Sequence, residues 1–286
     1  MIDLHLHTTA SDGRLSPAQL VARVAAAGIT TMSVTDHDTV AALAEVGVEA
    51  AGHGIRVVPG IEVTSVADGR DVHLLGYFFN PASAPLLAFL EGQRAQRVSR
   101  VREIGARLER LGMPVDVEAL VSTAALRPGT SVGRPQIARA LVSAGHVSSV
   151  QDAFERWLAT GLPAFVPRTG PSPADVVDVI HAAGGIASFA HPGVTKRDDL
   201  IRPLAEHGLD AIEIYHSDHQ GEDVQQYRGL AQRLGILVSG GSDFHGSAPQ
   251  DAVEKSRARR STLGAVLLPP DDFAALERRA GEHRAS

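Results

Sequence analysis

The sequence is poor in three features: it has no cysteine, few aromatic residues and no long apolar run. Without cysteine, disulfides and cysteine-ligated zinc are excluded, and a reducing cytoplasm suits the chain. No apolar run approaches the roughly 18 residues of a transmembrane helix, and no basic-then-apolar signal segment is visible. We therefore expect a cytoplasmic protein with no membrane partner. Aromatic residues make up 4% of the chain, which leaves few stacking platforms for a long nucleic-acid strand.

The balance of charged and apolar residues indicates a globular enzyme or binding domain. The formal net charge is −6, which argues against an indiscriminate nucleic-acid binder but leaves room for a local basic patch. With 286 residues, 44% of them hydrophobic, the chain can bury a sizeable core. It could form one large domain or a main domain with a smaller companion.

Short apolar runs alternate with amphipathic helix patterns in both outer parts of the chain. The predicted strands are 2–6, 31–35, 55–63, 72–79, 186–190, 211–215 and 236–239. The predicted helices are 17–28, 40–51, 174–183, 200–207 and 222–234. This repetition predicts an α/β fold with a mainly parallel sheet, either open or closed into a barrel. We expect the tail from about Gly281 to be frayed.

The middle of the chain has a different pattern, because residues 84–160 contain no convincing strand. A long helix is predicted over 85–111, and shorter helices over 116–124, 134–144 and 150–160. We interpret 84–161 as a helical insertion into a discontinuous main domain formed by 1–83 and 162–286. The long helix carries six arginines, for which a solvated face is the simpler interpretation and a nucleic-acid-facing surface the alternative. They are Arg94, Arg97, Arg100, Arg102, Arg107 and Arg110.

The opening segment DLHLHTTASDG gives the strongest chemical signal. His5 and His7 are two apart on a predicted strand, so both side chains point to the same side. They lie near the carboxyl end of that strand, where α/β barrels and open parallel sheets place their active sites. Asp12 follows in a Ser-Asp-Gly turn. A pair of structural histidines explains this segment, taken alone, about as well as a ligand pair.

Further histidines and carboxylates follow or begin other predicted strands. They are Asp36, His37, Asp38, Glu62, His73, His191, Asp243 and His245. Structural histidines have no reason to collect at strand ends, so the joint pattern predicts a metal centre. Imidazoles and carboxylates without thiolates suit manganese, iron or zinc, and they disfavour calcium.

At this point the chain resembles the PHP (polymerase and histidinol phosphatase) family of the amidohydrolase superfamily. The resemblance covers about 1–80 and 165–250, through HLHTTASDG, TDHDT, GIEVT, HLLGY, AHPG and GSDFH. It implies a distorted (β/α)7 barrel with a helical insertion and two or three divalent metal ions, most often manganese. It also implies nine ligands in three sites: His5, His7, Glu62 and Asp243; Glu62, His73 and His191; and Asp12, His37 and His245.

The expected chemistry follows from this ligand set. A bridging carboxylate such as Glu62 can hold two ions about 3.5–4 Å apart, and a metal-bound water reaches a pKa of about 7. The expected nucleophile is a metal-bound hydroxide held by Glu62, Asp243 and His191. Asp36 and Asp38 could orient imidazoles. A surface helix cap is an alternative role for Asp38.

Three further residues are predicted to contact the substrate. Arg134 begins a helix of the insertion, and Arg168 lies where the insertion rejoins the main domain. Arginine grips phosphate in a planar, bidentate manner, although each of these two could instead be a surface residue or an ion-pair partner. The resemblance points to His219, in the segment IYHSDHQ, as a third contact.

Within the family, the short insertion and SVGRPQIARAL most resemble the small stand-alone members. These release the 3′-phosphate of nucleoside 3′,5′-bisphosphates or remove nucleotides from RNA 5′ ends. We therefore expect a phosphorylated nucleotide or a short RNA as substrate, and no obligate protein partner. The alternatives are a histidinol phosphate phosphatase, another amidohydrolase-type hydrolase, or a non-catalytic metal or nucleotide sensor. The complete ligand set disfavours the sensor.

Overall fold

The computed structural model describes residues 1–126, 129–246 and 262–285. The strands are β1 (Ile2–Leu6), β2 (Thr31–Val34), β3 (Arg56–Val57), β4 (Gly60–Ala67), β5 (Arg70–Tyr77), β6 (Ile186–Phe189), β7 (Ala211–His216) and β8 (Leu237–Gly241). The helices are α1 (Pro17–Ala26), α2 (Leu43–Gly52), α3 (Ala84–Arg110), α4 (Val117–Ala125), α5 (Arg134–Ser143), α6 (Val150–Ala153), α7 (Pro173–Ala182), α8 (Pro192–Thr195), α9 (Ile201–His207), α10 (Gly221–Leu234) and α11 (Pro270–Ala285). A π-helical turn, Phe154–Leu158, follows α6. The predicted α/β alternation is confirmed.

The strands form two sheets, a parallel one of β1, β2 and β3 and a five-stranded one in the order β4 to β8. Two isolated bridges connect the sheets, Leu6 to Phe244 and His37 to Glu62, both parallel. The expectation of a mainly parallel sheet is only partly correct, because β5 pairs antiparallel with both β4 and β6. The cause is local: Asp68 and Gly69, both with positive φ, form the two-residue turn that joins β4 to β5 as a hairpin.

The predicted helices of the middle region are present as α3, α4, α5 and α6. The long helix α3 contacts two apolar cores. Its first half places Leu86 and Leu90 in the core beneath β4 and β5, and its second half places Ile104 and Leu108 in a core made by the shorter helices. The described part of 84–161 therefore shares a second apolar core with Ala164 and Val166, and α3 contacts both cores.

The C-terminal helix α11 was not predicted, and the expectation of a frayed tail from Gly281 is wrong up to Ala285. The helix packs on β8 and β6 and buries Phe273, Leu276 and Ala280, while its other face is strongly charged. Its apolar positions are too few for its periodicity to stand out in the sequence. No described helix is both long enough and apolar enough to cross a membrane.

Candidate active site

The nine predicted metal ligands come together, and we call them the central cluster. Most lie at or just beyond the carboxyl ends of β1, β2, β6 and β8, whereas Glu62 lies within β4 and His73 within β5. Two of them, His191 and Asp243, adopt positive φ values of 29° and 55°. Non-glycine residues hold such a conformation only when their surroundings enforce it, and they concentrate at functional sites.

Glycine at position 241 sets the distance between two of these strands. A Cβ atom there would lie 2.3 Å from the backbone nitrogen of His5, which is closer than any side chain allows. The bare backbone of β8 therefore lets β1 approach, and this approach places His5 beside Asp243.

Glu62 occupies the middle of the central cluster and is 1% exposed. Five imidazole nitrogens lie within 3.4 Å of its two carboxylate oxygens, those of His5, His7, His37, His73 and His191. Burial alone would raise the pKa of Glu62, but His37, His73 and His5 hold it well below its usual range. A carboxylate so placed can bridge two cations.

Two further carboxylates flank Glu62. Asp12 lies 3.2 Å from the Nε2 atom of His245 and 3.7 Å from that of His37. One oxygen of Asp243 lies 3.3 Å from the Nε2 atom of His7 and 3.4 Å from a ring nitrogen of His245. The three carboxylates therefore share a continuous group of imidazoles rather than forming separate pairs.

The hydrogen bonding of the central cluster is incomplete in a way that suits metal ions. Both ring nitrogens of His7 and the Nδ1 atoms of His37 and His73 are buried without a hydrogen-bond partner. Such orphaned donors and acceptors are costly unless a ligand satisfies them. Three sets of ligand atoms each lie within 4.8 Å of one another: His7, Asp12, His37 and His245; His5, His7 and Asp243; and His37, Glu62 and His73. The donor set fits several divalent ions.

The pKa values of two neighbouring imidazoles diverge strongly. Burial alone would lower the pKa of His7, but the neighbouring carboxylates of Asp243 and Glu62 raise it to about 10. Burial lowers the pKa of His37 to about 3, against the pull of Glu62 and Asp12. The carboxylates thus attract a cation, and His37 is a neutral imidazole of the kind that ligates metals.

An arginine-rich cleft opens beside the central cluster. Its empty volume is about 650 Å³, part of it open to solvent, which is in the range of a nucleotide-sized ligand. Its lining includes Asp12, His37 and His73 of the central cluster together with Arg97, Arg100, Arg134 and Arg168. Two of the six arginines of α3 therefore face this cleft, while Arg102 pairs with Glu118 at an exposed position. The simpler interpretation, a solvated face, is wrong for Arg97 and Arg100.

The protein-family model of the PHP domain matches residues 3–159, which is more than half of the chain. The chain belongs to the PHP family. It is 36% identical over 256 residues to the 5′-3′ exoribonuclease Rnm of Escherichia coli, covering 86% of each chain. It is 37% identical over 256 residues to the 3′,5′-nucleoside bisphosphate phosphatase of Chromobacterium violaceum, covering 85% of this chain and 87% of that protein.

A solved structure, a candidate metal-dependent phosphoesterase of Bifidobacterium adolescentis, resembles this PHP protein over almost its whole length. The TM-score is 0.85 at 28% sequence identity, and the alignment covers 97% of this chain and 96% of the other. The similarity of fold therefore extends through the helical middle region.

Glu213 is a residue of the PHP site that the sequence analysis missed. It is fully buried in β7, where it accepts hydrogen bonds from the Nδ1 atom of His5, at 2.8 Å, and from the backbone N–H of His191, at 2.8 Å. It thereby fixes the tautomer of His5 and turns its Nε2 atom towards Glu62. The one signal in the sequence was a glutamate within an otherwise apolar strand, AIEIY.

The two aspartates that flank His37 have structural partners other than imidazoles. Asp36 accepts hydrogen bonds from Thr8 and Ser11, which holds the loop between His7 and Asp12. Asp38 is fully buried, so the alternative of a surface helix cap is wrong. Its carboxylate pairs with Arg97 and, at 3.0 Å, with Arg168.

The predicted substrate contacts occupy two different places. Arg134 and Arg168 both line the cleft. His219 is buried after β7, where its Nδ1 atom donates to the carbonyl oxygen of Ile214 at 2.8 Å and its Nε2 atom accepts from the N–H of Gly193 at 3.1 Å. Both nitrogens are thus engaged by the backbone, and a substrate contact by His219 stays a prediction.

Proposed function

We propose that this PHP protein is a metal-dependent phosphoesterase acting on 5′-phosphorylated nucleotides. It would release the 3′-phosphate of nucleoside 3′,5′-bisphosphates, remove nucleotides from 5′-phosphorylated RNA ends, or do both. The observation that carries this proposal is the shared cleft, which Arg134 and Arg168 line together with the proposed metal ligands Asp12, His37 and His73. The names of the relatives from Escherichia coli and Chromobacterium violaceum support the same two activities.

The central cluster would hold two or three divalent ions, and we propose manganese, with zinc or iron as alternatives. Bound there, the ions would supply Lewis acidity towards the phosphate oxygens. We propose Glu62, Asp243 and His191 as the residues that hold the attacking water in place. Glu213 would keep His5 and His191 oriented through its two hydrogen bonds.

Arg134 is the proposed principal contact for the 5′-phosphate. Asp71 holds its guanidinium by an ion pair of 3.0 Å, and the ring of Phe165 lies 5.8 Å from it. These contacts aim a planar donor at the cleft with little freedom left to lose on binding. Burial lowers the pKa of Arg168 to about 10, so this guanidinium remains charged at neutral pH. His219 is the third proposed substrate contact. It lies next to the segment that follows His191, because its Nε2 atom accepts from the N–H of Gly193.

We also propose that the two sheets close into a distorted seven-stranded (β/α) barrel, with 84–161 as a helical insertion. The bridges from Leu6 to Phe244 and from His37 to Glu62 support closure, because they join β1 to the segment after β8 and the segment after β2 to β4. In this arrangement β3 and β4 count as one interrupted strand.

We further propose that the protein works in the cytoplasm, where nucleotides and RNA 5′ ends are its expected substrates. A chain without cysteine suits that reducing compartment. Subcellular fractionation with a specific antibody would contradict this location if the protein were recovered elsewhere.

The proposed activity is tested by orthophosphate release from adenosine 3′,5′-bisphosphate, AMP and histidinol phosphate, and by nucleotide release from 5′-phosphorylated oligoribonucleotides. Each substrate is assayed with manganese and again after chelation. We expect manganese-dependent turnover of the bisphosphate or of the oligoribonucleotides. No manganese-dependent turnover of any phosphoester would refute the proposal, and turnover of histidinol phosphate alone would refute the nucleotide assignment.

The role of Arg134 is tested by Arg134→Ala. We expect kcat/KM to fall about tenfold or more for substrates with a 5′-phosphate, because a charge-assisted contact is lost. Substrates without a 5′-phosphate provide the control. An equal loss on both kinds of substrate would contradict the proposed contact.

A further inference from the structure

His216 is the last residue of β7, and it lies against the central cluster without being one of its nine proposed ligands. Its side chain is fully buried, and the centroid of its ring lies 5.3 Å from that of His191. Its Nε2 atom lies 3.3 Å from the Oδ2 atom of Asp243. A buried imidazole in contact with a proposed metal ligand is either a further ligand or a group that holds that ligand in place.

The hydrogen bond at the other ring nitrogen of His216 decides between these two roles. The backbone N–H of Asp218 donates to the Nδ1 atom of His216 at 3.1 Å. Because Nδ1 accepts, the ring is neutral and carries its proton on Nε2. A protonated Nε2 has no lone pair for a cation, but it can donate to the carboxylate of Asp243. His216 is therefore a donor to the central cluster and not a tenth ligand.

The two carboxylate oxygens of Asp243 have different neighbours. Its Oδ1 atom lies 3.3–3.4 Å from ring nitrogens of His5, His7 and His245. Its Oδ2 atom is the one that lies beside Nε2 of His216. A carboxylate can bind a cation through one oxygen or through both. The hydrogen bond from His216 engages Oδ2, so Oδ1 is the oxygen that points towards the other proposed ligands.

The local structure of β7 brings His216 to this place. Residues three apart on a regular strand point to opposite faces, yet Glu213 and His216 both contact residues of the central cluster. The ladder between β7 and β8 shifts its register after Glu213, and such an irregularity re-aims the side chains that follow it. Beyond β7, Ser217 donates to the backbone oxygen of Ser242 at 2.6 Å, next to Asp243. The two segments are therefore fixed to each other.

We propose that His216 is a positioning residue of the metal centre, which donates to Oδ2 of Asp243 and keeps Oδ1 as the single oxygen offered to a cation. This role rests on the proposed function, because it requires that the central cluster holds metal ions. Without the donor, the carboxylate would lose this hydrogen bond and could turn away from the geometry that the ions need. Glu213 orients the imidazole of His5, and His216 does the same for a carboxylate.

The test compares His216→Asn with His216→Gln. Both variants carry a neutral amide, but the glutamine amide reaches the position of Nε2 and the asparagine amide only that of Nδ1. We expect the manganese affinity of His216→Asn to fall about tenfold, as is usual when the hydrogen-bond partner of a metal ligand is removed. His216→Gln should regain most of the affinity. Competition with a chelator, in the absence of substrate, provides the measurement.

The matched control is His181→Asn. The Nε2 atom of His181 also lies beside an aspartate, Asp210, at 2.8 Å, but this pair lies outside the central cluster. The control should leave the manganese affinity unchanged. Thermal unfolding of the metal-free proteins measures the structural effect of each substitution separately. A purely structural role of His216 would lower stability in its variants and leave the manganese affinity of the folded protein unchanged.

Unchanged manganese affinity in folded His216→Asn would overturn the positioning role, and so would an equal loss of affinity in His216→Gln. The proposed function fails by a different result, because the affinities are measured without substrate. A wild-type protein that binds manganese and hydrolyses no phosphoester would refute the proposed function, while the comparison of the two His216 variants would still decide the role of His216. A wild-type protein that binds no manganese or other divalent ion would overturn both.

Discussion

Two histidine–carboxylate clusters of this molecule have similar compositions and different surroundings. The central cluster lies at the carboxyl ends of the strands. The distal cluster consists of His181, Asp210 and His283, next to the amino end of β7, and its ligand atoms also lie within 4.8 Å of one another. By residue type and spacing alone, both could hold a metal ion.

The hydrogen bonds of the distal cluster are complete, in contrast to those of the central cluster. The carboxylate of Asp210 lies 2.8 Å from a ring nitrogen of His181 and 3.1 Å from one of His283. It also accepts from the backbone N–H of Ala187 at 2.9 Å and pairs with the guanidinium of Arg279 at 3.3 Å. The arginine already supplies the positive charge that the carboxylate needs, whereas buried ring nitrogens of His7, His37 and His73 lie near carboxylate oxygens without forming a hydrogen bond. Unsatisfied buried atoms, rather than composition, therefore separate a binding site from a structural contact.

The largest effect should come from Glu62→Gln, which removes the charge at the middle of the central cluster. We expect kcat/KM to fall about 10³-fold, equivalent to about 4 kcal/mol of lost transition-state stabilisation, together with a loss of bound metal. Steady-state kinetics and metal analysis of the purified protein provide the measurements. Glu45→Gln, at an exposed position of α2, is the control. Retention of metal and activity by Glu62→Gln would contradict the assignment of the central cluster.

A smaller effect is expected for Glu213→Gln, which removes the anion that orients His5 without removing a proposed ligand. Metal affinity should fall about 10–100-fold, as is usual when the partner of a ligating histidine is changed. Titration against a competing chelator measures this change, and Glu206→Gln, exposed on α9, serves for comparison. If both variants bind metal as tightly as the wild type, Glu213 has no orienting role.

The same contrast separates what the sequence can predict from what it cannot. The positions of His5, His7 and His37 near the carboxyl ends of strands could be predicted, because strand periodicity and strand ends are local features. The partners of Asp38 could not, since Arg97 and Arg168 are 59 and 130 residues away along the chain. The antiparallel hairpin was missed although Asp68-Gly69 is a strong turn signal. Glu213 was hidden because its partners, His5 and the backbone N–H of His191, are 208 and 22 residues away along the chain.

The distal cluster should contribute to stability and not to catalysis. Asp210→Asn removes the charge that joins α11 to β7, so we expect the free energy of unfolding to fall by about 1–3 kcal/mol. Activity per folded molecule should be unchanged. Asp178→Asn is the matched control, because this exposed aspartate also pairs with a histidine, His207, at 2.9 Å, and exposed pairs contribute at most about 1 kcal/mol. Metal-dependent stabilisation that disappears in Asp210→Asn would instead make the distal cluster a second metal site.

The smallest expected effect is the change, at low pH, in the unfolding free energy that Asp210 contributes. Burial alone would raise the pKa of Asp210, but hydrogen bonds from His181 and Ala187 hold it below its ordinary value of 3.8. Because the folded carboxyl has the lower pKa, its stabilisation is complete above the unfolded value and is lost as the pH falls through the folded value. The difference in unfolding free energy between the wild type and Asp210→Asn should therefore be constant near pH 5 and shrink below 3.8. Urea titrations at several pH values measure it. A difference that grows towards low pH would mean that Asp210 is protonated in the fold, and the ion pair with Arg279 would then not account for the distal cluster.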